Sequence, residues 1–351
     1  MKKSILFLTL FSMFLSACAS QEAETQPAGP QTLTILTHDS FSVSEAVVGS
    51  FEEANNAEVV FLQSGDAGSV LNRAILTKDA PLADLLFGVD NTFLSRALEE
   101  EIFEPYESPL LAEIPGQYKL DRSSRALPVD YGDVCINYDK AYFAENNLAV
   151  PQRLEDLIEP EYADLLVVQN PATSSTGLAF LLATVAHFGD SFTDYWQALK
   201  DNGVVVVDGW ETAYYNNFSG SSGRGPQPLV VSYGSSPAAE VHYAEKPLDD
   251  APTASMVGPD TCFRQIEFVG ILKGTRQRLL AEKCVDFMLG KEFQEDVPLQ
   301  MFVYPVNPDA ILPEVFTRYA QAPEQTASLT PDVIAEKRDE WIQAWTDVVL
   351  K

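Results

Sequence analysis

Residues 33–101 read LTILTHDSFSVSEAVVGSFEEANNAEVVFLQSGDAGSVLNRAILTKDAPLADLLFGVDNTFLSRALEEE, and this stretch decides the fold. Leu33-Thr34-Ile35-Leu36-Thr37 is a short β-rich run, and helical spacing follows over 44–55. Residues 59–62 give a second short strand and 69–78 an amphipathic helix. Residues 83–88 then form an apolar run suited to a buried strand, with a further helix over 92–101. Strands alternating with helices at these lengths build a parallel sheet whose faces the helices cover.

The same alternation restarts downstream. Strands are expected at 165–169, 204–207 and 229–233, with helices at 175–187 and 190–202. An extended apolar run fills 263–272, and helices follow over 276–289 and 291–297. Thr330 and Pro331 begin a long C-terminal helix reaching about residue 348, Thr330 as N-cap and Pro331 at the first helical position. Two β/α units, with a crossover near 127–137 and a return near 257–262, predict an α/β protein of two lobes around a cleft. The first lobe is expected to take residues 32–128 plus 258–351, and the second 129–257. In such sheets ligands bind beyond the carboxyl ends of the strands.

The N-terminus sets the compartment. Lys2 and Lys3 precede an apolar run over 4–15, and Ser16-Ala17 stand directly before Cys18. The run is too short to span a bilayer stably, so 1–17 reads as a cleaved secretory signal. Leu15-Ser16-Ala17-Cys18 looks like a bacterial lipobox, which makes Cys18 the lipidated mature N-terminus. Residues 18–31, dominated by Gln, Ala, Glu, Pro and Gly, are a tether that cannot bury a core. The expected location is therefore extracytoplasmic, lipid-anchored to the cell envelope.

The chain carries 51 acidic against 23 basic residues, a formal charge of −28. Phosphate backbones need a Lys/Arg footprint, so nucleic acid is excluded as a partner. Acidity of this size serves solubility, and it also concentrates cationic solutes. With Cys18 assigned to lipid, Cys135, Cys262 and Cys284 remain. Cys135 sits in a strand-like run and Cys262 precedes another, both in candidate crossover segments, which makes Cys135–Cys262 the preferred bridge. Connectivity is not fixed by sequence. Cys284 lies in a helical pattern and is expected as a buried thiol.

The strand-end rule selects the loops worth weighing. Asp39 follows the first strand, and Asp66, Ala67 and Ser69 lie where the second strand turns into a helix. That turn suits an anion on its amides or a polar group on Asp66, and serves equally as a plain N-capped turn. Asp90 follows the third strand. Ser174 opens an apolar helix whose amides and hydroxyls suit a phosphate or carboxylate. Trp210 is either a core aromatic or a stacking platform for a flat ligand. Tyr233 and Ser236, then Phe302 and Tyr304, complete the set.

Taken in order, 37–41, 66–73, 88–91, 130–140, 174–177, 209–214, 232–237 and 304–306 resemble the thiamine-binding periplasmic proteins of ABC importers, from about Leu33 to the C-terminus. The resemblance implies a periplasmic-binding-protein fold of the type II kind. It implies thiamine or its phosphate esters in the cleft, with Asp66, Ala67 and Ser69 on one wall and Ser174, Trp210, Tyr233 and Ser236 on the other. Asp39 and Tyr304 belong to matching motifs. The chain departs from that family at His38, where the family has Tyr, at Ala239, where it has an aromatic, and at Phe302, where it has Trp. The adjacent Tyr214 and Tyr215 admit a ferric ion instead, and the acidity admits a polyamine. No Gly-x-Ser-x-Gly or His-Glu-x-x-His motif points to an enzyme. The expectation is a monomeric, non-catalytic binder without cofactor or resident metal, delivering its ligand to a membrane permease and its ATPase.

Overall fold

Short β-branched runs bounded by turn residues become strands wherever a helix can cover them. In the computed structural model, which describes residues 29–220 and 225–351, this produces β1 (Gln31–Thr37), β2 (Ala57–Gln63), β3 (Leu85–Asp90), β4 (Phe103–Glu104) and β5 (Leu127–Asp139). There follow β6 (Leu166–Gln169), β7 (Val205–Val207), β8 (Leu229–Tyr233), β9 (Thr253–Met256), β10 (Phe263–Leu272) and β11 (Tyr304–Pro305). The leader, Cys18 and most of the tether lie outside the described residues.

The sheet order is β2-β1-β3-β10-β5-β8-β6-β7. β1 runs parallel to β2 and β3, and β6 parallel to β7 and β8. Between these parallel sets stands an antiparallel pair, β5 and β10. β5 pairs with β10 from Leu127 to Val134, then with β8 and β9 from Val134 to Asp139. The chain thus passes from one lobe to the other along β5, and β10 returns it beside β3. The two-lobed α/β architecture forms, with one refinement. The return is made by the strand 263–272 itself, antiparallel to both neighbours, because a strand leaving the second lobe re-enters the first against the direction of β3.

Apolar burial fixes the lobes. Leu33, Ile35, Leu85, Phe87, Val269 and Ile271 pack under the helices Arg278–Leu289 and Lys291–Gln300. The helix Ser175–Phe188 is buried through most of its length, and Gly177 lets it sit on β6, since a Cβ there would meet the Gln169 carbonyl at 2.4 Å. The C-terminal helix Pro331–Val349 starts on the Thr330 cap and straddles both halves. Its Trp345 meets Trp196 edge to face at 5.6 Å, and Arg338 reaches Ser95.

Cys135 on β5 and Cys262, just before β10, are joined by a disulfide that closes a loop of 127 residues. Loop-closure entropy assigns such a bond on the order of 4–5 kcal/mol. Cys284 is a free, buried thiol, pushed up to about 12 by burial.

Candidate ligand-binding cleft

The carboxyl ends of β1, β2 and β8 face each other across a cleft of about 830 Å³. Asp66 ends the turn after β2 and caps the helix Ala67–Leu76, its Oδ1 accepting the Ala67 N–H at 2.7 Å. The same carboxylate crosses between the lobes. Oδ1 accepts the Ser175 amide at 3.2 Å and Oδ2 accepts the Trp210 amide at 2.9 Å. Glycine makes this approach possible, because a Cβ on Gly68 would lie 2.8 Å from the Thr173 carbonyl oxygen. The positive end of the helix Ser175–Phe188 therefore faces a first-lobe carboxylate, as its dipole favours.

The second lobe contributes an aromatic wall. A π-helical turn, Thr212–Asn217, stacks Tyr214 on Trp210 at 4.9 Å and 17°. Trp210 Nε1–H donates to Ser232 Oγ at 2.9 Å, and Ser232 shares a hydrogen bond with Ser236. The ring is thereby held at the cleft instead of turning into the core. Tyr215 and Tyr243 stand exposed nearby, and Tyr243 meets Phe302 at 5.5 Å. The Tyr214 hydroxyl donates to Glu240 at 2.8 Å. Burial and then Glu240 hold the Tyr214 phenol well above its ordinary range; burial, Glu211 and Glu240 raise that of Tyr215.

The floor belongs to the crossover strands. Asp90 on β3, Glu267 on β10 and Asp130 on β5 are register partners, so three acids stand side by side across the central strands. Glu267 opens to the cleft, with His38 Nε2 3.4 Å from its Oε1. Gln265 joins this floor to the wall, accepting from the Tyr233 hydroxyl at 2.9 Å and donating to Asp90 at 2.8 Å. Burial pushes the Asp90 carboxyl up to about 6. Among the described residues, six carboxylates line the cleft (Asp39, Asp66, Glu211, Glu240, Glu245 and Glu267) and no lysine or arginine does. Such a lining selects for positive charge.

Of the residues expected from sequence, Asp39, Asp66, Ala67, Trp210, Tyr233, Ser236 and Phe302 line the cleft. Four do not. Ser69 lies two positions past the helix start at Ala67, with its side chain under Gly65. Asp90 is wholly buried, accepting from Thr92 and Gln265. Ser174 is spent as the cap of its helix, leaving Ser175 and Thr176 at the surface of the cleft. Tyr304 stacks on Tyr131 at 5.2 Å behind Phe302. Sequence reasoning missed Glu211, and Tyr215 outside its ferric reading, and then Glu240, Tyr243 and Glu267 as lining residues. The first two adjoin Trp210 in the loop already singled out, whereas Glu267 lay hidden inside an apolar strand run.

A family model described as bacterial extracellular solute-binding protein matches residues 80–326. The thiamine-binding periplasmic protein of Salmonella typhimurium is 32% identical over 322 residues, 90% of this chain and 93% of that protein. That of Brucella suis is 31% identical over 349 residues, 97% of each. A solved structure titled periplasmic thiamin binding protein superposes with a TM-score of 0.80 at 28% identity, covering 92% of this chain and 99% of that one.

Proposed function

This chain belongs to the bacterial extracellular solute-binding proteins, within the thiamine-binding periplasmic family, and from that premise we propose that it captures thiamine or a thiamine phosphate outside the cytoplasm for an ABC permease. The observation that carries this reading is the cleft, where a Trp210–Tyr214 stack stands among six carboxylates and, among the described residues, no lysine or arginine lines it. Thiamine is a flat aminopyrimidine joined to a permanently cationic thiazolium. A cation over a Trp or Tyr face gains about 0.5–2 kcal/mol, depending on desolvation. The carboxylates offer acceptors to the exocyclic amine, and the hydroxyls of Ser175, Thr176 and Ser236 suit the hydroxyethyl arm or a phosphate ester. A cleft of this size matches a drug-sized ligand.

In this reading the lobes 32–128 plus 258–351 and 129–257 close over the ligand, and Asp66 fastens them by its bonds to Ser175 and Trp210. The protein acts as a monomer without catalysis, held to the envelope by lipid on Cys18, and hands its ligand to the permease and its ATPase. The same acidic lining favours a second reading, a polyamine. A thermal-shift panel of thiamine, its mono- and diphosphate, spermidine and ferric citrate separates the two. Stabilisation by the thiamine compounds is expected. Stabilisation by spermidine or iron alone overturns the ligand and leaves the fold standing.

A further inference from the structure

We propose that His38 and Glu267 form an internal ion pair on the cleft floor that a cationic ligand replaces, so that capture of the ligand expels one proton from His38. The inference rests on the cationic ligand proposed above and adds how the floor discriminates for charge. The geometry is built for the imidazole. Gly88 on β3 leaves room for it, since a Cβ there would sit 2.3 Å from His38 Cδ2. Phe41 and Phe87 flank the ring at 6.4 and 5.9 Å. Nε2 stands 3.4 Å from Glu267 Oε1 but completes no hydrogen bond among the described residues. The pair is attractive yet unlocked.

Among the described residues the titratable groups that act on the ring are acidic: Glu267 from β10, Asp66 from the opposing helix start, Asp39 from its own loop and Glu211 from the second lobe. Burial opposes charge on His38, and Glu267, Asp66 and Asp39 more than offset it, holding the imidazolium above its ordinary range. Behind Glu267 the Asp130 oxygens find no donor among the described residues. Burial and the Glu267 charge push the Asp130 carboxyl well above the usual carboxylate range, which leaves the negative charge of the pair on Glu267. Asp90, the other register neighbour, accepts from Thr92 and Gln265. Glu267 thus holds the negative charge of the floor and His38 its counter-charge. A thiazolium or protonated amine arriving at Glu267 brings a second positive charge beside His38. The imidazolium then releases its proton to solvent, and the floor keeps one cation for one carboxylate.

Calorimetry of the full chain with thiamine, between pH 6 and 8 in buffers of differing ionisation enthalpy, tests this. Release approaching one proton per thiamine is expected in the wild type, with affinity rising up to tenfold per pH unit below the His38 titration point. In His38→Gln both effects should vanish while binding persists. Proton NMR of the His38 ring, with and without thiamine, gives a readout independent of the variant; its titration should move down on binding. Binding with no proton release, or the same release in His38→Gln, overturns the exchange and spares the ligand assignment. No binding at any pH overturns both.

Discussion

Gly68→Ala sets local stability against closure. Gly68 is inside the helix Ala67–Leu76, where alanine is ordinarily better by about 0.8–1 kcal/mol. Its absent Cβ, however, faces the second lobe. A methyl there would lie 2.8 Å from the Thr173 carbonyl oxygen and 3.1 Å from that of Ala172. Both are backbone atoms in the loop that leads into the helix Ser175–Phe188, and the Asn170 carbonyl holds that loop by accepting the Thr173 and Ser174 amides. Overpacking of this kind costs about 1–3 kcal/mol. When the lobes part the methyl meets nothing, so the penalty falls on the closed form alone. Thiamine affinity should fall about 5- to 150-fold while the melting temperature without ligand holds or rises. Titration calorimetry reads the first, differential scanning calorimetry the second, and small-angle scattering should show a bound form wider than the wild type. Affinity within twofold of wild type would refute the claim that closure brings these two backbones together.

Asp66→Ser keeps a helix cap but loses the reach to Ser175 and Trp210, two interlobe bonds worth about 1.5–3 kcal/mol together once solvent exposure is allowed for. A 10- to 100-fold weaker thiamine affinity with near wild-type melting is expected in calorimetry, and an unchanged affinity would count against the latch. Trp210→Ala should cost about 1–3 kcal/mol of thiamine binding, whereas Trp210→Phe, which keeps a ring face but loses the bond to Ser232, should cost less. Asp90 titrates near 6 in the fold against 3.8 in an open chain, so its ionisation costs the native state about 3 kcal/mol as pH rises through that window. Urea unfolding should therefore show Asp90→Asn gaining about 3 kcal/mol on the wild type between pH 4 and 7, and a constant gap would contradict the burial argument. The paired Cys135→Ser and Cys262→Ser variant should unfold about 2–5 kcal/mol more easily, read by the same urea titration.

Much of the fold was legible because it follows from local rules. Alternating apolar runs and caps located β1, β2, β8 and most helices within a residue or two, and Thr330-Pro331 marked the last helix where it begins. What stayed hidden depends on long-range pairing. β9, β4 and β11 are too short to stand out from their neighbours, and the central position of β10 is a property of the assembled sheet. The cleft divides in the same way. Loops at strand ends delivered Asp39, Asp66 and Trp210, since the parallel sheet sends those loops to one side. Ser174 and Asp90 stand outside the cleft lining, one as a helix cap and one as a buried acceptor, and both roles use the same residue types as a ligand contact. Glu267 escaped because an acid inside an apolar strand signals its role only when His38 and Asp130 are seen beside it.

The central claim is that this acidic, aromatic cleft holds one thiamine-type cation. Titration calorimetry of the purified chain with thiamine at pH 7.5, repeated with Trp210→Ala, addresses it most directly. The account predicts one molecule bound per chain, with an affinity the substitution lowers. Saturable binding of spermidine with no heat from thiamine or its phosphates would contradict it.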